Sequence, residues 1–350
     1  MESEREQGGV DMGSVEDDAR DSSARAFYSS DFEWEELREE IEGTGSQPHE
    51  TTEFETIILE AQRRAESGRN EPVFSPSAWE SFHKNHSNAL FFKERRYLVK
   101  EFPELISGSR DITVLEVGCG TGSSVVPILR ANGNATCYGC DCSAAALDRA
   151  KLLVADQAGL SESQKRKFHP FQCDISVEAF PSWLCCSSCR SSNQTNGLRD
   201  KKIEAGVVSS SAEGSCCIRG VSFVMLIFTL SAIPLEKMRH VVAECAAVLR
   251  PGGLLLFRDY GLYDMTMLRF PSSQKVAERL YYRKDGTLSY FFSSGVVREL
   301  FTGVGLLEEE LHYCCVKLLN RRKQVPMKRV WVHAKFRKPL VEVSADESVA

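Results

Sequence analysis

Asp111-Ile-Thr-Val-Leu-Glu116-Val-Gly118-Cys-Gly120-Thr-Gly122 is the stretch from which the fold is read. Ile112, Val114, Leu115 and Val117 make a near-continuous apolar run, as expected of a central parallel strand covered on both faces. The run passes directly into three alternating glycines, and a helix is expected from about Ser123 to Ala131. Glycine has no Cβ, so such a turn can be tight and can lie close to a ligand. The helix behind it would present unpaired N–H groups. An ordinary strand-turn-helix without a ligand has no use for three alternating glycines, which weaken a core.

Two ligand classes fit a glycine turn of this kind. A dinucleotide site needs G-x-G-x-x-G. Here the third glycine comes one position early, and Ser123 stands where that fingerprint has its last glycine. The pattern Glu116-x-Gly118-x-Gly120-x-Gly122 instead resembles the first motif of class I S-adenosylmethionine (SAM)-dependent methyltransferases.

The chain has 350 residues, 42% of them hydrophobic, enough for one large α/β core with appendages or for two small domains. Its net charge of −6 hides an asymmetry. Residues 1–66 carry a balance of −14, leaving +8 on the remainder. A basic body suits a polyanionic partner. Residues 1–25 are acidic and polar with no apolar segment of a secretory signal. The longest apolar run, Val221 to Ile233, is short for a bilayer span. No membrane contact is expected, and the expected location is cytoplasmic, with the nucleus as the other option. Thirteen scattered cysteines in such a chain read as reduced thiols.

Residues 1–26 read as a disordered acidic tail. A helical region with lid and RNA-facing residues is expected over 27–108, beginning with short helices over Asp31 to Glu42 and Thr52 to Ser67. Residues 76–106 interleave aromatic and basic side chains around Trp79, His83, Phe91, Phe92, Lys93, Arg95 and Arg96. Two readings stay open for this block. It is an amphipathic helix with a solvated basic face, or a lid that also meets a nucleic acid by stacking and phosphate contact. Over 109–338 strands and helices alternate, with strands expected at Ala135 to Cys140, Phe168 to Cys173, Ser222 to Phe228 and Leu254 to Phe257. That alternation predicts a doubly wound, mostly parallel sheet. Arg250-Pro251-Gly252-Gly253 reads as punctuation before the fifth strand. Asp285-Gly286 between aromatic flanks is a hairpin signal. Further strands are expected near 306–313 and 329–336, and 339–350 reads as a tail.

Residues 182–219 read as a disordered Cys/Ser-rich insert between the third and fourth strands. Cys186-x-x-Cys189 has metal-ligand spacing, and Cys216-Cys217 would complete four thiolates. Structural zinc sites usually use a second spaced pair rather than adjacent cysteines, so no metal is expected.

In an open parallel sheet the ligand binds beyond the carboxyl ends of the strands. Gly118, Gly120 and Gly122 fall there. So does Asp141, whose carboxylate can accept two ribose hydroxyls. Asp174 and Ile175 can hold adenine by an acid and an apolar face. Arg258, Asp259 and Tyr260 end the fifth strand, on the acceptor side. A lone aspartate after a strand is often just a helix cap. Two at successive strand ends beside a glycine loop point to a ligand.

Four further stretches are distinctive. They are Phe91-Phe92-Lys93-Glu94-Arg95 with Glu101-Phe102-Pro103-Glu104-Leu105, Leu226-Ile-Phe228-Thr-Leu-Ser231-Ala232-Ile233, Leu256-Phe-Arg258-Asp259-Tyr260-Gly261, and Asp285-Gly286-Thr287 with Tyr290-Phe291-Phe292. With the glycine loop, they resemble the tRNA N3-methylcytidine methyltransferases of the methyltransferase-like group. The resemblance implies a Rossmann-like class I fold with a seven-stranded sheet and an N-terminal helical extension. It implies SAM as methyl donor and, as acceptor, cytidine 32 in the tRNA anticodon stem-loop. Some members act with an aminoacyl-tRNA synthetase or another protein partner. Family cofactor contacts carry over to Trp79, Gly118, Asp141, Asp174, Ile175 and Ile227. They also fall on His83 and Arg96, where the family has Tyr and often His. Asp259 is the expected catalytic carboxylate, with Arg258 and Tyr260 beside it. Phe91, Phe92, Lys93, Arg95, Arg321, Arg322, Lys328 and Arg329 are the expected RNA contacts. A SAM methyltransferase for another RNA, a protein or a small molecule, or a non-catalytic SAM- or RNA-binding subunit, are the alternatives.

Overall fold

The computed structural model describes residues 30–44, 53–66, 76–86, 94–107, 111–194, 216–320 and 324–340. The expectations for residues 1–26 and for Phe91, Phe92, Lys93, Arg321 and Arg322 lie outside them.

The strands in chain order are β1 Thr113–Val117, β2 Thr136–Asp141, β3 Phe168–Gln172, β4 Val221–Ile227, β5 Leu249–Tyr260, β6 Lys275–Ala277, β7 Leu280–Tyr282, β8 Leu288–Tyr290, β9 Leu307–Asn320 and β10 Val325–Arg337. Seven of them form one sheet in the order β3-β2-β1-β4-β5-β10-β9. β1 to β5 are parallel, and β10 runs antiparallel to both β5 and β9. The remaining three form a small antiparallel sheet that contains the expected Asp285-Gly286 hairpin.

β1 and β4 are buried along nearly their whole length, which is why their sequences run apolar rather than alternating. One core cluster, with Leu115, Val117, Val224 and Phe257, fills one side of the sheet. The other, with Val114, Met225, Leu254 and Leu256, fills the opposite side under the helix Val125–Ala131. Strand order reverses between β1 and β4, so the crevice opens beyond their carboxyl ends. β3, which carries Pro170, lies at the sheet edge, where a missing N–H costs no ladder bond.

The structure revises several boundaries. β5 begins at Leu249, and Arg250 to Gly253 form an irregular excursion within it. Val221 pairs with Leu249, while Phe223 pairs with Leu254. The two closing strands are nearly twice as long as expected, because each completes the other's ladder. The Cys/Ser-rich insert is not uniformly loose either. Ser187–Gln194 is a helix, and Arg190 in it forms an ion pair with Glu244 at 2.9 Å.

The N-terminal helix Trp34–Glu42 is docked on the far edge of the sheet. Trp34 stacks on Tyr313 at 4.5 Å and on Tyr263, and its Nε1 donates to the Leu262 carbonyl. Among the described residues, no helix is long and apolar enough to cross a membrane.

Candidate active site

A cavity of about 350 Å³ opens at the switch between β1 and β4. That is the size range of small-molecule sites. Its walls come from the glycine loop, the ends of β2 and β4, the segment after β3, the helix Pro76–Asn85, the end of β5 and the β7–β8 hairpin.

The glycine loop works as its spacing implies. Gly118 has φ +65°, and a Cβ there would sit 2.6 Å from Thr229 Cγ2. Thr229 itself is fixed, donating from Oγ1 to the Val117 carbonyl at 2.9 Å. Gly118→Ala should therefore cost about 1–3 kcal/mol in backbone strain, beyond the displacement of Thr229. Chemical denaturation of the variant measures this, and an unchanged midpoint would refute the steric argument. Gly120 has φ +52°, and its missing Cβ would meet nothing nearer than His83 Cε1 at 3.8 Å. The space over Gly120 is thus a cradle that any side chain would fill.

Asp141 ends β2 and is nearly buried. Its Oδ2 accepts from the Gly120 N–H at 2.9 Å and its Oδ1 from the Ser143 N–H at 2.9 Å. A carboxylate has about four acceptor positions, so two remain after these bonds. Asp174 is held by Ser176, whose Oγ donates to Oδ1 at 2.6 Å. Ile175, Ile227, Ile233 and Trp79 supply apolar wall. Trp79, Phe82 and His83 come from one helix, which is latched by Glu80. The Glu80 carboxylate accepts from Ser143 Oγ at 2.6 Å, and that bond above all holds its pKa at about 2.

This donor set fits SAM. Asp141 would hold the ribose hydroxyls, Asp174 and Ile175 the adenine, and the Gly118–Gly120 cradle the methionine end. Trp79, His83 and Ile227 also line the cavity. Gly122 does not line it. A Cβ at Gly122 would press on Ala150 at 3.2 Å, so it serves close packing between the loop and the helix Ala144–Ala155. Arg96 is also outside the cavity, paired with Glu94 at the surface.

Arg95, expected to face RNA, is instead a cavity residue. Its guanidinium donates to Ser124 Oγ at 3.3 Å and meets Glu116 Oε1 at 3.4 Å beneath the glycine loop. Glu116 itself accepts from Ser124 Oγ at 2.6 Å, and burial pushes its carboxyl up to about 7.

On the acceptor side, Tyr260 lines the cavity, but Arg258 and Asp259 do not. Arg258 is fully buried further back in β5 and paired with Glu101 at 2.5 Å, with its guanidinium over the rings of Trp331 and Tyr97. Arg258 shares its face of β5 with Tyr260 but lies two residues further back from the strand end, where Glu101 holds it away from the cavity, and Asp259 points to the other face. Asp259 lies behind the wall. Its Oδ2 accepts from the Ser231 N–H at 2.9 Å and its Oδ1 from the Tyr260 N–H at 2.8 Å, and both donors belong to cavity-lining residues. Burial pushes its carboxyl up to about 6.

The sequence reading missed Arg283 and Asp285 as site residues, although Asp285 opens the distinctive hairpin stretch and Arg283 stands two residues before it. Both line the cavity, and Arg283 lies 5.6 Å over the Tyr260 ring. Lys328 and Arg329 do not form an open phosphate track. Lys328 is paired with Glu40, and Arg329 with Asp264 at 2.7 Å.

Comparison with known proteins agrees with this geometry. A family model described as a methyltransferase domain matches residues 91–308. The tRNA N(3)-methylcytidine methyltransferase Mettl2 of Drosophila melanogaster is 34% identical over 293 residues, covering 81% of this chain and 77% of that protein. The human tRNA N(3)-cytidine methyltransferase METTL6 is 34% identical over 265 residues, covering 75% of this chain and 79% of that protein. O-methyltransferase 3 of Dictyostelium discoideum is 37% identical over 245 residues, covering 69% of this chain and 47% of that protein.

Proposed function

The chain belongs to the tRNA N3-methylcytidine methyltransferases, and from that membership we propose that it methylates N3 of cytidine 32 in the tRNA anticodon loop, using SAM. The observation that carries this reading is the two-ended cavity. A glycine cradle and an anchored Asp141 stand at one end, and Tyr260, Arg283 and Asp285 at the other.

Bound in the cradle, SAM supplies a sulfonium methyl group to a nucleophile. N3 of neutral cytosine has an in-plane lone pair, so no side chain need remove a proton before attack. The residues of this chain have to align the base and hold the charge it gains. Alignment can supply on the order of 7–11 kcal/mol of barrier lowering. N3 lies on the Watson–Crick edge, so the base has to leave its stack to enter the cavity, where Tyr260 offers an aromatic face. Asp259 is a positioning residue. By accepting from the Ser231 and Tyr260 N–H groups it fixes two stretches of the wall. Its buried negative charge also favours a cationic product.

That charge exists only above the raised pKa. Turnover should therefore rise with pH through about 6 and fall as Asp259 is protonated below it. Asp259→Asn should lose turnover, flatten this step and leave SAM affinity nearly unchanged. A variant with the wild-type profile would remove Asp259 from the mechanism.

The decisive test combines purified protein, SAM and unmodified tRNA, with nucleosides analysed by mass spectrometry. N3-methylcytidine at position 32 is expected, if necessary only when cellular extract supplies a synthetase or other protein partner. No N3-methylcytidine in either arm would sink the proposal. Turnover of a small hydroxylated acceptor without tRNA would favour the chemistry named for the Dictyostelium relative.

A further inference from the structure

We propose that Cys186, Cys189, Cys216 and Cys217 form a structural zinc site that closes the neck of the insert between β3 and β4. Their four sulfur atoms all lie within 4.8 Å of one another. Cys186 and Cys216 are 3.5 Å apart, Cys189 and Cys216 3.6 Å, and Cys216 and Cys217 3.9 Å. Zinc–sulfur bonds of about 2.3 Å in a tetrahedron put neighbouring sulfurs about 3.8 Å apart. The observed separations bracket that value.

Hydrophobic burial does not explain the gathering. Cys216 is exposed and Cys186 and Cys189 are half-exposed. Nor are these thiols bridged, since all thirteen cysteines are free.

Both cysteine pairs are held from outside the cluster. Cys186 precedes the helix Ser187–Gln194, and its carbonyl accepts from the Arg190 N–H at 2.8 Å. Arg190 bolts that turn to Glu244 at 2.9 and 3.0 Å and to the carbonyls of Phe180 and Cys185. The second pair is placed by two backbone bonds, from Ile218 to Trp183 and from Gly220 to Leu184, each 2.9 Å. Arg250 donates to the Ile218 carbonyl at 3.2 Å. Cys217 Sγ already accepts from the Arg219 N–H at 3.2 Å, the kind of backbone donor that steadies a metal-bound thiolate. Arg219 and Gly220 both have positive φ, the bend that delivers this N–H.

By spacing alone the adjacent cysteines are poor ligands. In the fold their two sulfurs lie 3.9 Å apart and both join the cluster. Binding would release the thiol protons to solvent and form four Zn–S bonds, with no change in oxidation state. The zinc would join two turns whose inner ligands, Cys189 and Cys216, are 27 positions apart. Those turns connect the cavity segment after β3 to the start of β4.

The test is metal analysis of the full-length chain, expressed with zinc and dialysed against metal-free buffer under reductant. About one zinc per chain is expected, released by a mercurial reagent. Cys186→Ser and Cys216→Ser should each lower retained zinc at least about tenfold while SAM binding persists. Should either variant fail to fold, cobalt(II) substitution of the wild-type chain tests the site directly. The visible bands of a tetrahedral cobalt tetrathiolate are expected. Iron in place of zinc, a Cys186–Cys216 or Cys189–Cys216 disulfide, or a folded metal-free chain would overturn the proposal.

Discussion

Asp141→Ala is expected to raise the dissociation constant for SAM by about 10²- to 10⁴-fold. A hydrogen bond to a charged group is worth about 1.5–3 kcal/mol, and two ribose hydroxyls would depend on this carboxylate. The same side chain anchors the Gly120 and Ser143 N–H groups, so its loss also leaves two donors of the loop without their acceptor. Burial pushes the Asp141 carboxyl up, partly offset by those bonds and by His83. Affinity in the wild type should accordingly fall on acidification, because a protonated carboxyl accepts hydroxyl donors less well. Calorimetry with SAM measures both effects, and circular dichroism establishes that the variant is folded. Binding within about threefold of wild type would mean that Asp141 does not hold the ribose.

Arg258→Ala is expected to destabilise the fold by about 3–5 kcal/mol, the usual cost of breaking a buried ion pair. Arg258 is 0% exposed, and its loss would strand Glu101, whose side chain is 2% exposed, against His333 at 2.9 Å. The cavity between the Trp331 and Tyr97 rings would add to the loss. An Arg258→Met/Glu101→Leu double variant removes both charges and should recover most of the stability. Denaturant unfolding of the three proteins checks this. The part of the Arg258→Ala protein that folds should still bind SAM. A variant as stable as wild type but without turnover would return Arg258 to the active site.

The crossing of expectations at Arg258 and Arg95 has a common cause. In each, a buried carboxylate from another segment, Glu101 or Glu116, claims the guanidinium. Arg258 adjoins Asp259 and shares its face of β5 with Tyr260, but it lies two residues further back from the strand end, where Glu101 holds it and β10 places His333 directly opposite. Arg95 lies in an aromatic–basic block that suggests RNA. Its guanidinium is drawn inward because Glu116, buried under the loop, needs a cation. Lys328 and Arg329 likewise read as a basic run, yet acids from the N-terminal helix and from Asp264 neutralise them across the fold. Charge partners 288 and 65 positions away in sequence cannot be read from the run itself.

The amino-acid sequence alone determined the strand-glycine-helix unit, the parallel order that follows from alternating elements, and the two aspartates at the ends of β2 and β3. These are local consequences of period, glycine conformation and strand ends, and each depends on residues close together in the chain. The tertiary structure alone decided which face each strand-end residue takes, which cations are already neutralised, that Arg283 closes the cavity, and that four cysteines from two separated pairs meet. Those depend on register, on backbone bends and on which distant segments are brought into contact.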